Sequence, residues 1–175
     1  MYRIFIVEDD PVIVSALCAH MEKWGFECRG VEDFRKVTEE FAAYAPHLVL
    51  MDISLPFYDG YHWCAEIRKL SKTPMIFLSS AAENMNILMA LSAGADDFVQ
   101  KPFDLSVLLA KVLGLNEVQE SSLGLVFHYA DQAGLPLLDL KDLRAVLTHL
   151  TSDEGKSELK AIGGLSAATV GVILR

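Results

Sequence analysis

A series of short apolar runs, each closed by a polar residue, constrains the fold of this chain more than any other feature. Arg3–Val7 stops at Glu8-Asp9-Asp10, Leu48–Met51 at Asp52, Met75–Leu78 at Ser79-Ser80, and Phe98–Gln100 at Lys101-Pro102, while Glu27–Val31 reads as a weaker strand. Helical spacing follows each run. Pro11 suits a first helical turn, Ile13, Leu17, Met21 and Trp24 form a stripe, and Gly25 ends the helix. Asp33 is expected to cap a helix over Phe34–Tyr44, and Asp59-Gly60 leads into one over Tyr61–Leu70. Asn84–Ala93 is helical and closed by Gly94, and Asp104 caps a helix carrying Leu105, Leu108, Leu109 and Val112. Continuous apolar strands alternating with helices predict an α/β fold, a doubly wound parallel sheet of five strands with helices on both faces.

Composition agrees with a globular chain. Hydrophobic residues make up 52% and charged residues 22% of the 175 positions, enough for a full core without a disulfide or metal staple. The net charge of −9 argues against a nucleic-acid surface, which needs clustered positive charge. No apolar run reaches the ~18 residues of a membrane span and no signal-peptide pattern opens the chain, so a cytoplasmic location and no membrane partner are expected. Cys18, Cys28 and Cys64 are far apart in sequence and odd in number, and are expected as buried, reduced thiols rather than a disulfide framework or a metal knuckle. The five histidines share no ligand-like spacing.

In an open parallel sheet the site lies at the carboxyl ends of the strands. Glu8, Asp9, Asp52, Ser79 and Lys101 all stand there, so three carboxylates, a hydroxyl and an ammonium are expected to converge. Taken singly, Asp9-Asp10-Pro11 reads as a helix cap and Lys101 as a solvated charge; their joint placement is what points to a site. Crowded carboxylates repel and need a cation, and hard oxygen ligands without His or Cys suit Mg²⁺, with Mn²⁺ as an alternative. A carboxylate beside such an ion can attack a phosphoryl group and form an aspartyl phosphate. Positive charge from Lys101 and a hydrogen bond from Ser79 would stabilise the transferring group.

The segments IVEDDP (6–11), LVLMDISLPFYDG (48–60), IFLSS (76–80) and GADDFVQKPF (94–103) resemble the receiver domain of two-component response regulators, most closely those of the OmpR-like class. The resemblance implies a flavodoxin-like sheet of order 2-1-3-4-5 over residues 1–115. It implies Asp52 as phosphoacceptor, Glu8, Asp9 and Asp52 as metal ligands, and the backbone carbonyl of Ser54 as a further one. Ser79 and Lys101 would complete the phosphoryl site, Ser79 and Phe98 would switch together, and the Lys101–Pro102 bond would be cis. Phe98 stands where Tyr is common, and Ser80 where Ala is usual. The implied phosphodonor is a sensor histidine kinase, recognised mainly through the first helix and adjacent loops. The implied assembly is a homodimer through the face near Asp96, Asp97 and Lys111. Asp96 and Asp97 are otherwise read as solvated. Such a domain is a phosphoacceptor rather than an enzyme.

Residues 116–175 read as a small α-rich appendage. Helices are expected over Ser122–Ala133, from Asp139 or Lys141 through Leu150, over Asp153–Ile162, and over Ala167–Leu174 capped by Ser166. Eight acidic against five basic side chains make this segment unsuited to reading DNA, and no winged helix is expected. Gly155-Lys156-Ser157 lacks the earlier glycine and the preceding strand of a phosphate-binding loop, so no ATPase chemistry is expected. LKAIGGLSAATVGVIL (159–174) is a weak match to a helix-hairpin-helix. The stretch 135–175 closely resembles an internal part of bacterial HerA-type helicase-like P-loop ATPases, reaching back to about residue 121. The chain ends at Arg175 without a stop signal, and the pairing of two families implies a fusion or chimera. The leading functional expectation is a switching receiver. Alternatives are a non-switching interaction module, or an engineered chimera whose tail drives oligomerisation. A nucleotide-dependent tail enzyme comes last.

Overall fold

A computed structural model of the chain describes residues 2–80, 89–135, 137, 139–161, 165 and 167–173. The chain divides into two compact units, Met1–Phe103 and Asp104–Arg175.

The first unit holds β1 (Arg3–Val7), α1 (Pro11–Lys23), β2 (Glu27–Gly30), α2 (Val37–Tyr44), β3 (Leu48–Asp52), α3 (Gly60–Leu70), β4 (Met75–Ser79), a helical turn α4 (89–92) and β5 (Asp97–Gln100). The sheet has the order β2-β1-β3-β4-β5 with every pair parallel, as the alternation and the family resemblance implied. β1, β3 and β4 are continuous apolar runs because both faces are covered, and Phe5, Val49, Met51, Met75 and Phe77 are fully buried. On one face Val37, Phe41, Trp63 and Ile67 from α2 and α3 close over Phe5, Val49, Met51 and Phe77. Each buried Phe contributes on the order of 2–3 kcal/mol.

The helix starts follow local chemistry. Asp10 caps α1 through its side chain, which accepts from Val12 N at 2.8 Å, and Pro11 occupies the first turn. Asp59 caps α3 by accepting from His62 N at 2.8 Å. The helix expected from Phe34 begins instead at Val37. Asp33 accepts from Arg35 N in a turn, and Glu40 reaches back to accept from the amides of Glu32 and Asp33 at 2.9 and 2.7 Å, which holds residues 32–36 outside the helix. Of the helix expected over Asn84–Ala93, residues 84–88 lie outside the described residues.

The second unit is all helix: α5 (Leu105–Val112), α6 (Glu117–Gln132), α7 (Leu140–Thr151), α8 (Lys156–Ala161) and α9 (Ala167–Ile173). Asp104 caps α5 and Asp139 caps α7, the latter accepting from Lys141 N and Asp142 N. α6 starts before the expected Ser122, because Asn116 and Gln119 form a reciprocal capping box. α8 is shorter than the expected Asp153–Ile162, starting at Lys156 after a turn; Ile162, Ser166 and Leu174 lie outside the described residues. Helix α7, not a strand, precedes Gly155-Lys156-Ser157. α6 packs against α5, α7 and α9, burying Leu123, Val126 and Ala130. Among the described residues no helix is long and apolar enough to cross a membrane.

Candidate phosphoryl-acceptor site

The all-parallel sheet sends the carboxyl ends of β1, β3, β4 and β5 to one edge, and the register keeps them level: Val7 pairs with Met51, Asp52 with Leu78, and Ser79 with Gln100. Glu8 follows β1, Asp52 ends β3, Ser79 ends β4 and Lys101 follows β5. Glu8, Asp52 and Ser79 are 3%, 6% and 2% exposed, while Asp9 stands in solvent. Burying two carboxylates is costly unless cationic charge meets them. Lys101 supplies it: its Nζ lies 2.5 Å from Glu8 Oε2 and 3.2 Å from Asp52 Oδ2.

The remaining oxygens are held by backbone. Glu8 Oε1 accepts from Asp10 N at 3.2 Å and Asp52 Oδ1 from Ile53 N at 2.7 Å. Burial pushes the Glu8 carboxyl above the ordinary carboxylate range; the Lys101 hydrogen bond opposes this, and Asp52 adds to it. Burial works against the Lys101 ammonium, but Glu8 and Asp52 outweigh it and raise its pKa, so it stays charged.

One oxygen each of Glu8, Asp9 and Asp52 lies within 4.8 Å of the others. Because Asp10 does the capping of α1, Asp9 is left for this group. Three hard carboxylate oxygens with no nitrogen or sulfur among them fit Mg²⁺ or Mn²⁺. Ser54 is exposed in the loop after Asp52, and the Lys101–Pro102 bond is cis. Ser79 O accepts from Lys101 N at 2.6 Å, which fastens the two strand ends together. Phe98 is half-buried on β5 against the cluster of Phe5, Trp63 and Phe77. Asp96 is exposed, as expected, and its carboxylate also accepts from Arg68 at 2.6 Å and from Met75 N at 2.8 Å. That ties the start of β4 to the approach to β5.

Gly60 belongs to the site although the sequence marks it only as a turn. A Cβ there would lie 2.1 Å from the Asp52 carbonyl oxygen and 2.9 Å from Phe77. Gly60 N also donates to Ile53 O at 2.9 Å, so a side-chain-free residue clamps the loop beside Asp52. The Asp-Gly pair at 59–60 is a signal for this close approach, but one shared with ordinary turns.

Comparison with known proteins agrees with this geometry. Residues 4–113 match the response regulator receiver domain family, and residues 104–175 match the helicase HerA-like C-terminal family, so the segment 104–113 is shared by both. The chain is 46% identical over 112 residues to an uncharacterised transcriptional regulatory protein of Bacillus subtilis, YvcP, covering 64% of this chain and 47% of that one. It is 45% identical over 112 residues to the sensory transduction protein BceR of Halalkalibacterium halodurans, covering 64% and 48%. The chain thus spans about half the length of the curated relatives it matches. The N-terminal domain of the nisin resistance regulator NsrR superposes with a TM-score of 0.61 at 45% identity, covering 66% of this chain and 97% of that one. The beryllofluoride-activated receiver domain of RstA from Klebsiella pneumoniae gives 0.61 at 33% identity, covering 63% and 94%. With its parallel sheet, its buried acids and these matches, the chain belongs to the response regulator receiver domain family.

Proposed function

We propose that the chain accepts a phosphoryl group on Asp52 from the phosphohistidine of a sensor histidine kinase and changes conformation or association in response. The observation that carries this reading is the buried Glu8–Lys101–Asp52 array with Asp9 at its rim. Glu8, Asp9 and Asp52, with the carbonyl of Ser54, would hold the metal. Bound there, Mg²⁺ would neutralise charge on the phosphoryl oxygens. Asp52 attacks phosphorus; the P–N bond breaks, and its electron pair goes to the imidazole nitrogen, which takes up a proton. Lys101 then exchanges a carboxylate partner for a phosphoryl oxygen, and the Ser79 hydroxyl donates to another. Movement of Ser79 and Lys101 would reach Phe98 through β4 and β5.

We place the receiver at residues 1–115 and an α-helical segment of separate origin at 116–175; the receiver match ending at residue 113 supports that boundary. A homodimer in the cytoplasm, with no DNA-reading module in this stretch, completes the proposal. The test is intact mass after acetyl phosphate treatment. One Mg²⁺-dependent phosphoryl addition is expected, and Asp52→Ala removes it; an equal addition in that variant refutes Asp52 as nucleophile.

A further inference from the structure

Two of the three cysteines, separated in sequence and in different elements, meet in space. Cys18 lies on α1 and Cys28 on β2, both half-buried. The packing of α1 on β2 explains why. A Cβ at Gly30 would lie 2.8 Å from Val14 Cγ1, so the helix sits directly on the strand at that point. Moving back two residues along β2 from Gly30 reaches Cys28, on the same face, over roughly 6.7 Å. Moving forward four residues along α1 from Val14 reaches Cys18, on the same stripe, over roughly 6 Å. Helix and strand run in opposite senses in a strand–helix–strand unit, so the two steps coincide. The helix-on-strand register thus brings the two thiols side by side. The alternation along β2, exposed at Glu27 and Arg29 and half-buried at Cys28 and Gly30, confirms which face meets α1. Cys18 and Cys28 are therefore half-buried rather than the buried thiols that the sequence suggests for all three cysteines. Among the described residues no further His, Cys, Asp or Glu side chain joins the pair to make a group of three.

We infer that Cys18 and Cys28 are a peroxide-oxidisable pair that closes to an intramolecular disulfide, linking α1 to the edge strand β2. One thiolate of the pair attacks one oxygen of hydrogen peroxide; the O–O bond breaks, and hydroxide leaves as water with that thiol's proton. The other sulfur then attacks the sulfenic sulfur; the S–O bond breaks and a second water leaves with its proton. The contact between the two thiols lets one share its proton with the other's thiolate, the species that attacks peroxide. Cys64 is the internal control: it is fully buried, its Sγ donates to Ala93 O at 3.2 Å, and burial raises its pKa. The inference is independent of phosphoryl transfer.

The test treats the full chain with hydrogen peroxide, blocks remaining thiols by alkylation in denaturant, and maps the unreduced peptides by mass. Cleavage at Lys23 and Arg29 puts the two cysteines on different peptides. The expected product joins those peptides with the loss of two hydrogens and leaves Cys64 alkylated. It forms at least about tenfold faster in the native chain than in urea, because the fold pre-positions the thiols. Cys28→Ser should stop at oxidised Cys18 with no cross-link. The wild-type peptide map decides the question even if that variant fails to fold. Both thiols recovered alkylated, a disulfide joining two chains, or Cys64 oxidised as fast as Cys18 would overturn the inference.

Discussion

The two units bury polar groups in opposite ways. Among the described residues of the sheet unit the buried polar side chains are Glu8, Asp52 and Ser79, all at one edge, two of them acids met by one lysine. In the helical unit they are Ser122 and Thr169, and among the described residues no charged side chain is buried. Ser122 satisfies itself on its own helix, donating to Val118 O at 2.7 Å. The Lys156–Asp153 ion pair of that unit is exposed, where solvent screens it. Packing alone explains the helical unit. It does not explain the sheet edge, since replacing a buried ion pair with apolar residues is often neutral or stabilising. Charge retained at that cost marks the place where chemistry is expected.

The largest break in this contrast should come from Gly60→Ala. With backbone 2.1 Å from the new Cβ, the loop beside Asp52 must move, and we expect a loss of ~3 kcal/mol in urea unfolding together with impaired phosphorylation. A loss below about 0.5 kcal/mol would show that the clamp is dispensable. Next, Lys101→Ala leaves Glu8 and Asp52 facing each other without their cation. A loss of ~2 kcal/mol at neutral pH is expected, partly restored by Mg²⁺; stability equal to the parent would refute the charge-balance account.

Gly124→Ala sharpens the comparison from the other unit. It lies inside α6 with nothing within 4 Å of a new Cβ, so helix propensity alone should act and stabilise by ~0.5–1 kcal/mol. Destabilisation there would mean the helical unit has its own hidden constraint. The smallest effect belongs to Asp9→Asn. Relieving repulsion at the rim should stabilise the metal-free protein by ~0.5 kcal/mol, while the thermal shift produced by Mg²⁺ shrinks. An undiminished Mg²⁺ shift would remove Asp9 from the ligand set.

The strands are legible because β1, β3 and β4 carry runs of consecutive apolar residues, and the site because Glu8 follows β1 while β3 and β4 end on Asp52 and Ser79. What the sequence hides depends on partners distant along the chain or on caps without apolar periodicity. The start of α2 hides behind Glu40, which accepts from two amides seven and eight residues earlier. The first turn of α6 is written in Asn116 and Gln119 rather than in a hydrophobic stripe. The sequence puts Lys101 at the site, but its pairing with Glu8 spans 93 positions and only the closed sheet reveals it. The meeting of Cys18 and Cys28 likewise needs the helix-on-strand register.

The most direct test of the central claim is to locate the phosphoryl group. The full chain and a chain ending at Leu115 are treated with acetyl phosphate and Mg²⁺, and the acyl phosphate is mapped by peptide mass. The account predicts one phosphoryl group in both chains, on the peptide containing Asp52, and none beyond residue 103. Phosphate on another residue, or none in either chain with Mg²⁺ present, would contradict it.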